Sequence, residues 1–144
     1  MKSHGEGMVV RCQMEIRAIR PTEFEVVRRL LLDNSFHGER ITDIERFRKL
    51  IAMSQRALVA VADGSVIGFA RGISDDVSNG YLSMLVVAEA HRRKGVGTAL
   101  VRAVVGDDDQ MTWVLRLGGR DVAEFYEKLG FVRSTVAMER IRAK

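Results

Sequence analysis

Residues His91 to Val101 read HRRKGVGTALV: a cationic run of Arg92, Arg93 and Lys94, then glycines at 95 and 97, then an apolar helical stretch. A helix N-terminus carries unpaired N–H groups and a partial positive charge, and so attracts phosphate. Glycine at that point lets an anion reach the backbone with no Cβ in the way. Three chemistries fit the pattern: a phosphate cradle, a nucleic-acid patch, or an ordinary solvated helix start. Leu100 stands where a dinucleotide fingerprint needs its third glycine, which excludes that motif. No Gly-Lys-Ser/Thr follows, which excludes a nucleotide-triphosphate P-loop. Further along, FYEKLGF (Phe125 to Phe131) places a phenol, Tyr126, on a helix. Periodicity alone reads it as a core aromatic. The aspartates of GDDDQ have no histidine beside them and no ligand spacing, so they read as a solvated turn, and no metal is predicted.

These residues need elements to hold them. MEIRAI (Met14 to Ile19) alternates as a half-buried strand does. Pro21 opens a helix, with Thr22 and Glu25 at capping-box spacing and Phe24, Val27, Leu30 and Leu31 toward the core. DNSFHGE breaks it. Thr42 and Glu45 start a second helix, which buries Ile44, Phe47, Leu50 and Ile51. ALVAVADGSVIGFARGI is a hairpin turning at Asp63-Gly64, and GYLSMLVV is the next strand, after a turn spanning Asp75 to Gly80. The glycine helix, the strand TWVLRL, the helix RDVAEFYEKL and a closing stretch of one or two strands complete the chain. The predicted order is β-α-α-β-β-β-α-β-α-β, an α+β (α/β layered) fold with a mixed, mostly antiparallel sheet flanked by helices.

At 144 residues, 47% hydrophobic and 29% charged, the chain is one globular domain, predicted over residues 13–144 behind a flexible tail at 1–12. Nothing in it approaches a membrane span or a secretory signal, and Cys12 is the sole cysteine, so a reducing cytoplasm is the expected setting. The net charge of +4 permits an anionic partner without requiring one. Aromatics at 6% and scattered basic residues argue against a nucleic-acid module.

Taken in order, the Arg92-x-x-Gly95-x-Gly97 turn after a strand and the downstream FYEKLGF resemble the Gcn5-related N-acetyltransferase (GNAT) superfamily over about Glu15 to Arg140. Glu89 stands in place of a proline common there, and Gly119 in place of an asparagine. The resemblance implies acetyl-CoA as co-substrate. Its pyrophosphate would lie on backbone N–H groups of Arg93, Lys94, Gly95, Val96, Gly97 and Thr98, with charge added by Arg92, Arg93 and Lys94. Its pantetheine amides would pair with Leu85, Val86 and Val87, and a backbone N–H near Val86 would face the acetyl oxygen. Tyr126 would be the general acid. Tyr81 falls where histone-acetylating relatives place a glutamate, so a water relay ordered by Tyr81 and Ser83 is the expected base.

For the acceptor, Phe36 and His37 lie in the loop between the first helices, and Tyr81, Phe36 and Trp113 would form a small aromatic lining if they converge. Asp75 or Asp76 would draw in a cation. The expected activity is N-acetylation of a small primary amine, with a protein lysine or N-terminus as the alternative acceptor. A non-catalytic acyl-CoA sensor is the alternative of another class. The small-molecule amine is the expected partner, with neither nucleic acid nor membrane, and a homodimer is compatible with the sequence.

Overall fold

The computed structural model describes residues 13–119 and 122–143. The predicted tail at 1–12, with Cys12, lies outside the described residues. Strand β1 (Met14–Ala18) leads through a 3₁₀ turn (Pro21–Glu23) into α1 (Phe24–Asp33). A single helical turn, α2 (Glu39–Thr42), precedes α3 (Ile44–Ala52). Strands β2 (Arg56–Ala62), β3 (Ser65–Ser74) and β4 (Asn79–Val87) follow, then α4 (Val96–Val105), β5 (Thr112–Leu115) and α5 (Val122–Glu127). The five strands form one sheet in chain order, antiparallel except for the parallel pair β4–β5. A parallel pair needs a crossover, and α4 supplies it. The mixed, helix-flanked sheet is the fold class that the sequence predicts.

The helix starts differ from the predicted caps. Thr42 sits inside α2, its hydroxyl donating to the Gly38 carbonyl at 3.3 Å. Asp43 caps α3 instead, its Oδ1 accepting from the N–H groups of Glu45 and Arg46 at 2.9 and 3.2 Å. At α1, Thr22 yields to Glu23, whose carboxylate accepts from the Arg20 N–H at 2.8 Å and from both ends of the Arg17 guanidinium at 3.0 and 2.6 Å. That bidentate contact from Arg17 is the main reason the Glu23 carboxyl titrates below its ordinary value. The Asp63-Gly64 hairpin forms as expected: both residues have positive φ, 51° and 78°, between paired Ala62 and Ser65.

The sheet has a helical layer on each face. On one face, Val27, Leu31, Ile41, Phe47 and Ile51 pack on Val59, Phe69, Met84 and Val86. On the other, Val96, Leu100, Val101 and Val104 of α4 pack on Ala60, Ala70 and Leu82, with Trp113, Phe125 and Tyr126 at the margin. Close approach on this second face depends on missing side chains. A Cβ built on Gly68, Gly72 or Gly80 would fall 2.9, 2.7 or 2.5 Å from Leu100, Val104 or Trp113 respectively. Met84, with φ 68°, is a bulge: Ala70 pairs with Leu85 and Arg71 with Ser83, and Met84 is the extra residue. It exchanges the faces of β4. Leu82 faces α4 ahead of it and Leu85 and Val87 do so after it, whereas Met84 and Val86 face α1–α3.

The predicted closing strands are absent among the described residues: 131–143 form neither strand nor helix. The physical reason is a turn. The Ser134 Oγ accepts from the N–H groups of Val136 and Ala137 at 3.1 and 2.9 Å, folding the segment where a strand would run straight. No helix among the described residues is long and apolar enough to cross a membrane.

Candidate functional site

Strand β4 is bare along part of one edge. Its pairing with β5 runs from Asn79–Thr112 to Leu82–Leu115 and stops there, so Ser83 to Val87 have no β5 partner on that side. The chain then makes a 3₁₀ turn at Glu89–His91, passes Arg93 and Gly95 in the left-handed region (φ 63° and 85°), and enters α4. No side chain caps α4, and the first backbone bond of the helix runs from the Ala99 N–H to the Gly95 carbonyl at 3.0 Å. The N–H groups of Val96, Gly97 and Thr98 are therefore orphans of the helix start, continuing from a free strand edge. A Cβ on Gly97 would meet Phe125 at 3.4 Å and Val87 at 3.7 Å, so this glycine also seats α5 on α4.

Arg92 is already engaged. Its Nε donates to the Val87 carbonyl at 3.1 Å and a terminal nitrogen to Asn34 Oδ1, tying the end of β4 to the end of α1. Arg93 and Lys94 are exposed, and no ion pair holds either among the described residues. The charge available to an anion at this turn is theirs.

Tyr126 lies on α5 with its ring edge-on to Phe125 and Phe131, at centroid distances of 5.0 and 5.7 Å. The Leu129 and Phe131 N–H groups close on its carbonyl at 2.9 and 3.1 Å, which fixes the ring at the helix end. Burial pushes its phenol up from the ordinary value, so it is protonated at neutral pH. It borders a cavity of about 770 Å³ shared with Trp113, Leu115 and Phe131.

Tyr81 faces the opposite layer. It pairs with Val114, and with Arg116 and Arg142 it lines a groove of about 1040 Å³ between β5 and the C-terminal segment. Ser83 pairs across the sheet with Arg71, which shares this face. Arg71 is 7% exposed; its Nε donates to Ser54 Oγ at 2.7 Å, and it has no carboxylate partner among the described residues. Burial lowers its pKa, followed by the charge of Arg40, while Tyr81 acts in the opposite sense. Arg40 is lowered chiefly by burial and next by Arg142. Sequence periodicity missed this cationic group. The one available signal was Arg71 itself, a lone charge inside the otherwise apolar run VIGFARGI.

Other sequence-predicted residues do not gather there. Trp113 pairs with Gly80, on the α4 face, and its ring lies under the Arg56 guanidinium at 5.2 Å. Tyr81, Phe36 and Trp113 therefore do not converge, because alternation along β4 and β5 puts Tyr81 and Trp113 on opposite faces. Phe36 packs on the α1–α3 layer, and His37 is exposed. Asp75 is a turn former: its carboxylate accepts from the Val77, Ser78 and Asn79 N–H groups and from the Ser78 hydroxyl, which hold it well below the usual carboxylate range. Asp76 pairs with Arg56 at 3.0 Å, and Arg56 in turn donates to the Val104 carbonyl at the end of α4. Both aspartates are spent on structure. No group of three or more histidine, cysteine or acidic side chains placed to hold a metal occurs among the described residues.

With this geometry in place, comparisons identify relatives. The family model described as an acetyltransferase (GNAT) domain matches residues 54–133. N-alpha-acetyltransferase 30 of Xenopus laevis is 39% identical over 59 residues, a stretch that covers 38% of this chain and 22% of that protein. The match thus spans about a fifth of that relative's length. Ard1 from Thermoplasma volcanium superposes with a TM-score of 0.69 at 26% identity, over 84% of each chain. A GNAT family acetyltransferase from Streptococcus pneumoniae shares the fold, with a TM-score of 0.74 at 18% identity over 93% of this chain and 100% of the other.

Proposed function

We propose that this chain, which belongs to the GNAT acetyltransferase family, transfers the acetyl group of acetyl-CoA to a primary amine presented at the Tyr81 groove. The observation that carries the reading is a continuity of backbone: the β4 edge that β5 leaves unpaired from Ser83 to Val87, with only the Val87 carbonyl taken by Arg92, runs directly into the uncapped start of α4. That arrangement fits an amide-bearing arm ending in pyrophosphate, the form of the family's co-substrate. Bound acetyl-CoA supplies an activated acyl group and a thiolate that must leave.

The protein's own groups do the rest. Leu85 to Val87 hold the arm as an added strand, and Val96 to Thr98 hold its anionic end, with Arg93 and Lys94 adding charge. A backbone N–H near Val86 stabilises negative charge on the carbonyl oxygen. Tyr126, kept protonated by burial, gives its proton to the departing sulfur. Removing the amine's proton is the harder step. An alkylamine of pKa near 10.4 lies roughly 4–5 kcal/mol from its neutral form at pH 7. The arginines around Tyr81 lower that pKa, since a like charge disfavours the protonated form. Water ordered by Tyr81 and Ser83 then carries the proton away.

The sequence points to a small acceptor. A second reading, the α-amine of a polypeptide, is favoured by the likeness to N-alpha-acetyltransferase 30 and to Ard1, and an open groove admits an extended chain. Release of free thiol from acetyl-CoA with a panel of small amines and short peptides decides between them through kcat/KM. Replacing Tyr126 with phenylalanine should lower kcat by about 10²-fold with little change in acetyl-CoA affinity. Binding without thiol release from any amine would make the protein a sensor. Unchanged kcat in Tyr126→Phe, with chemistry rate-limiting, would remove the tyrosine from the reaction.

A further inference from the structure

The cationic character of the Tyr81 groove exceeds what the transfer itself requires. Arg116, Arg140 and Arg142 line it, and Arg40 and Arg71 stand within electrostatic reach of Tyr81. One carboxylate, Glu139, also lines it, and Arg116 already holds that group at 2.6 Å. Arg40, Arg71, Arg140 and Arg142 have no acidic partner among the described residues. Arg71 is the telling member. A nearly buried guanidinium is costly unless paired, and apart from the bond to Ser54 its donors take no partner among the described residues. The fork of an arginine matches a carboxylate in geometry as well as charge.

We propose that the acceptor amine carries a carboxylate, which the groove binds through Arg140 and Arg142 of its lining, with Arg71 and Arg40 adding positive charge behind Tyr81, so that anionic amines are preferred over neutral and cationic ones. The placement follows from the sheet. Arg71 sits opposite Ser83, and Tyr81 lies on the same face two residues before Ser83 and lines the groove with Arg140 and Arg142, so a carboxylate held there keeps its amine on the β4 face that leads to the bare edge. A free acidic amino acid and a peptide with an acidic first residue present the same chemistry. The inference rests on the transferase reading for its acceptor but not for its binding test.

The experiment compares matched acceptors: glutamate with glutamine and aspartate with asparagine, each as the free amino acid and as the first residue of a short peptide. Thiol release should give a kcat/KM ratio, acid over amide, of about tenfold or more in whichever arm is used. Arg142→Ala, at an exposed position, and Arg40→Gln should each reduce that ratio severalfold, mainly through KM, whereas Arg133→Ala outside the groove should leave it unchanged. In parallel, calorimetric titration of glutamate and of the Glu-initial peptide should show salt-sensitive binding that Arg142→Ala and Arg40→Gln weaken. Thiol release that favours the amides or cationic amines overturns the proposal and leaves the transferase intact. Thiol release from no amine overturns the transferase reading, and the titration then decides the carboxylate site alone. Equal binding of acid and amide, or none, sinks it.

Discussion

The two ends of β4 are built by different means. At its C-terminal end the candidate co-substrate site is backbone: a bare edge, a left-handed Gly95 and an uncapped helix, all within residues 83–98. At its N-terminal end the groove is made of side chains from distant segments, with Tyr81, Arg116 and Arg142 in its lining and Arg40 and Arg71 within electrostatic reach, brought together only by folding. A backbone site follows from local sequence and tolerates side-chain change, provided glycine remains where a Cβ would intrude. A side-chain site can be remade by single substitutions while the strand beneath it stays the same. On the proposed reading, labour is divided along one strand, with the acetyl donor at one end and the acceptor at the other.

Breaking the backbone end should give the largest effect. Acetyl-CoA at about a hundredfold its Kd should raise the unfolding free energy of the wild type by about 2.7 kcal/mol. Gly97→Val should abolish this gain, by obstructing the anion site and by pressing on Phe125. Gly97→Ala, whose Cβ would meet Phe125 at an ordinary 3.4 Å, separates the two causes. A ligand-free melting temperature near wild type with a reduced ligand shift assigns the loss to the anion site. An unchanged shift in both variants would place the pyrophosphate elsewhere.

Between the two ends, Gly80 sets how closely Trp113 approaches the sheet. A Cβ there would fall 2.5 Å from the indole, so Gly80→Ala should cost about 1–3 kcal/mol through overpacking. Chemical denaturation measures it. A cost below the resolution of that method would mean that the indole yields freely and that the glycine is not needed for packing.

The smallest effect lies in the turn before β4. The Asp75 carboxyl is held below its ordinary range by the Ser78 hydroxyl and then by backbone N–H groups. A depressed pKa contributes stability that is present above the unfolded value of about 3.9 and lost as pH falls toward the folded one. The melting temperatures of wild type and Asp75→Ala should therefore differ at pH 6 and converge as pH is lowered below about 4. A gap as wide at pH 2 as at pH 6 would show that the turn does not depend on the carboxylate charge.

Legibility in the sequence followed the same division. The glycine turn, the Asp63-Gly64 hairpin and the apolar faces of α1 and α3 depend on neighbours a few residues apart, and local pattern predicts them. The acceptor side was misjudged because its geometry depends on parity. Periodicity cannot tell whether Tyr81 and Trp113 share a face until their register is known, and their strands are joined through α4. Asp75 and Asp76 looked available because their partners, Ser78 and Arg56, belong to a turn and to a strand whose approach only folding reveals. The closing strands failed for a more local reason: alternation predicts a strand's faces, but not a hydroxyl such as Ser134 that takes the backbone N–H groups first.

The bulge at Met84 works like a doubled tooth in a zip. Ahead of it, Tyr81 and Ser83 look toward the groove; behind it, Met84 and Val86 fill the helical layer on that same side. Taking out Met84 would close the bulge and restore strict alternation, with Leu85 and Val87 still toward α4 and Tyr81 and Ser83 still toward the groove. What the extra residue adds is a second side chain in a row on one side, so that Ser83 looks to the groove while Met84 fills the apolar layer beside it.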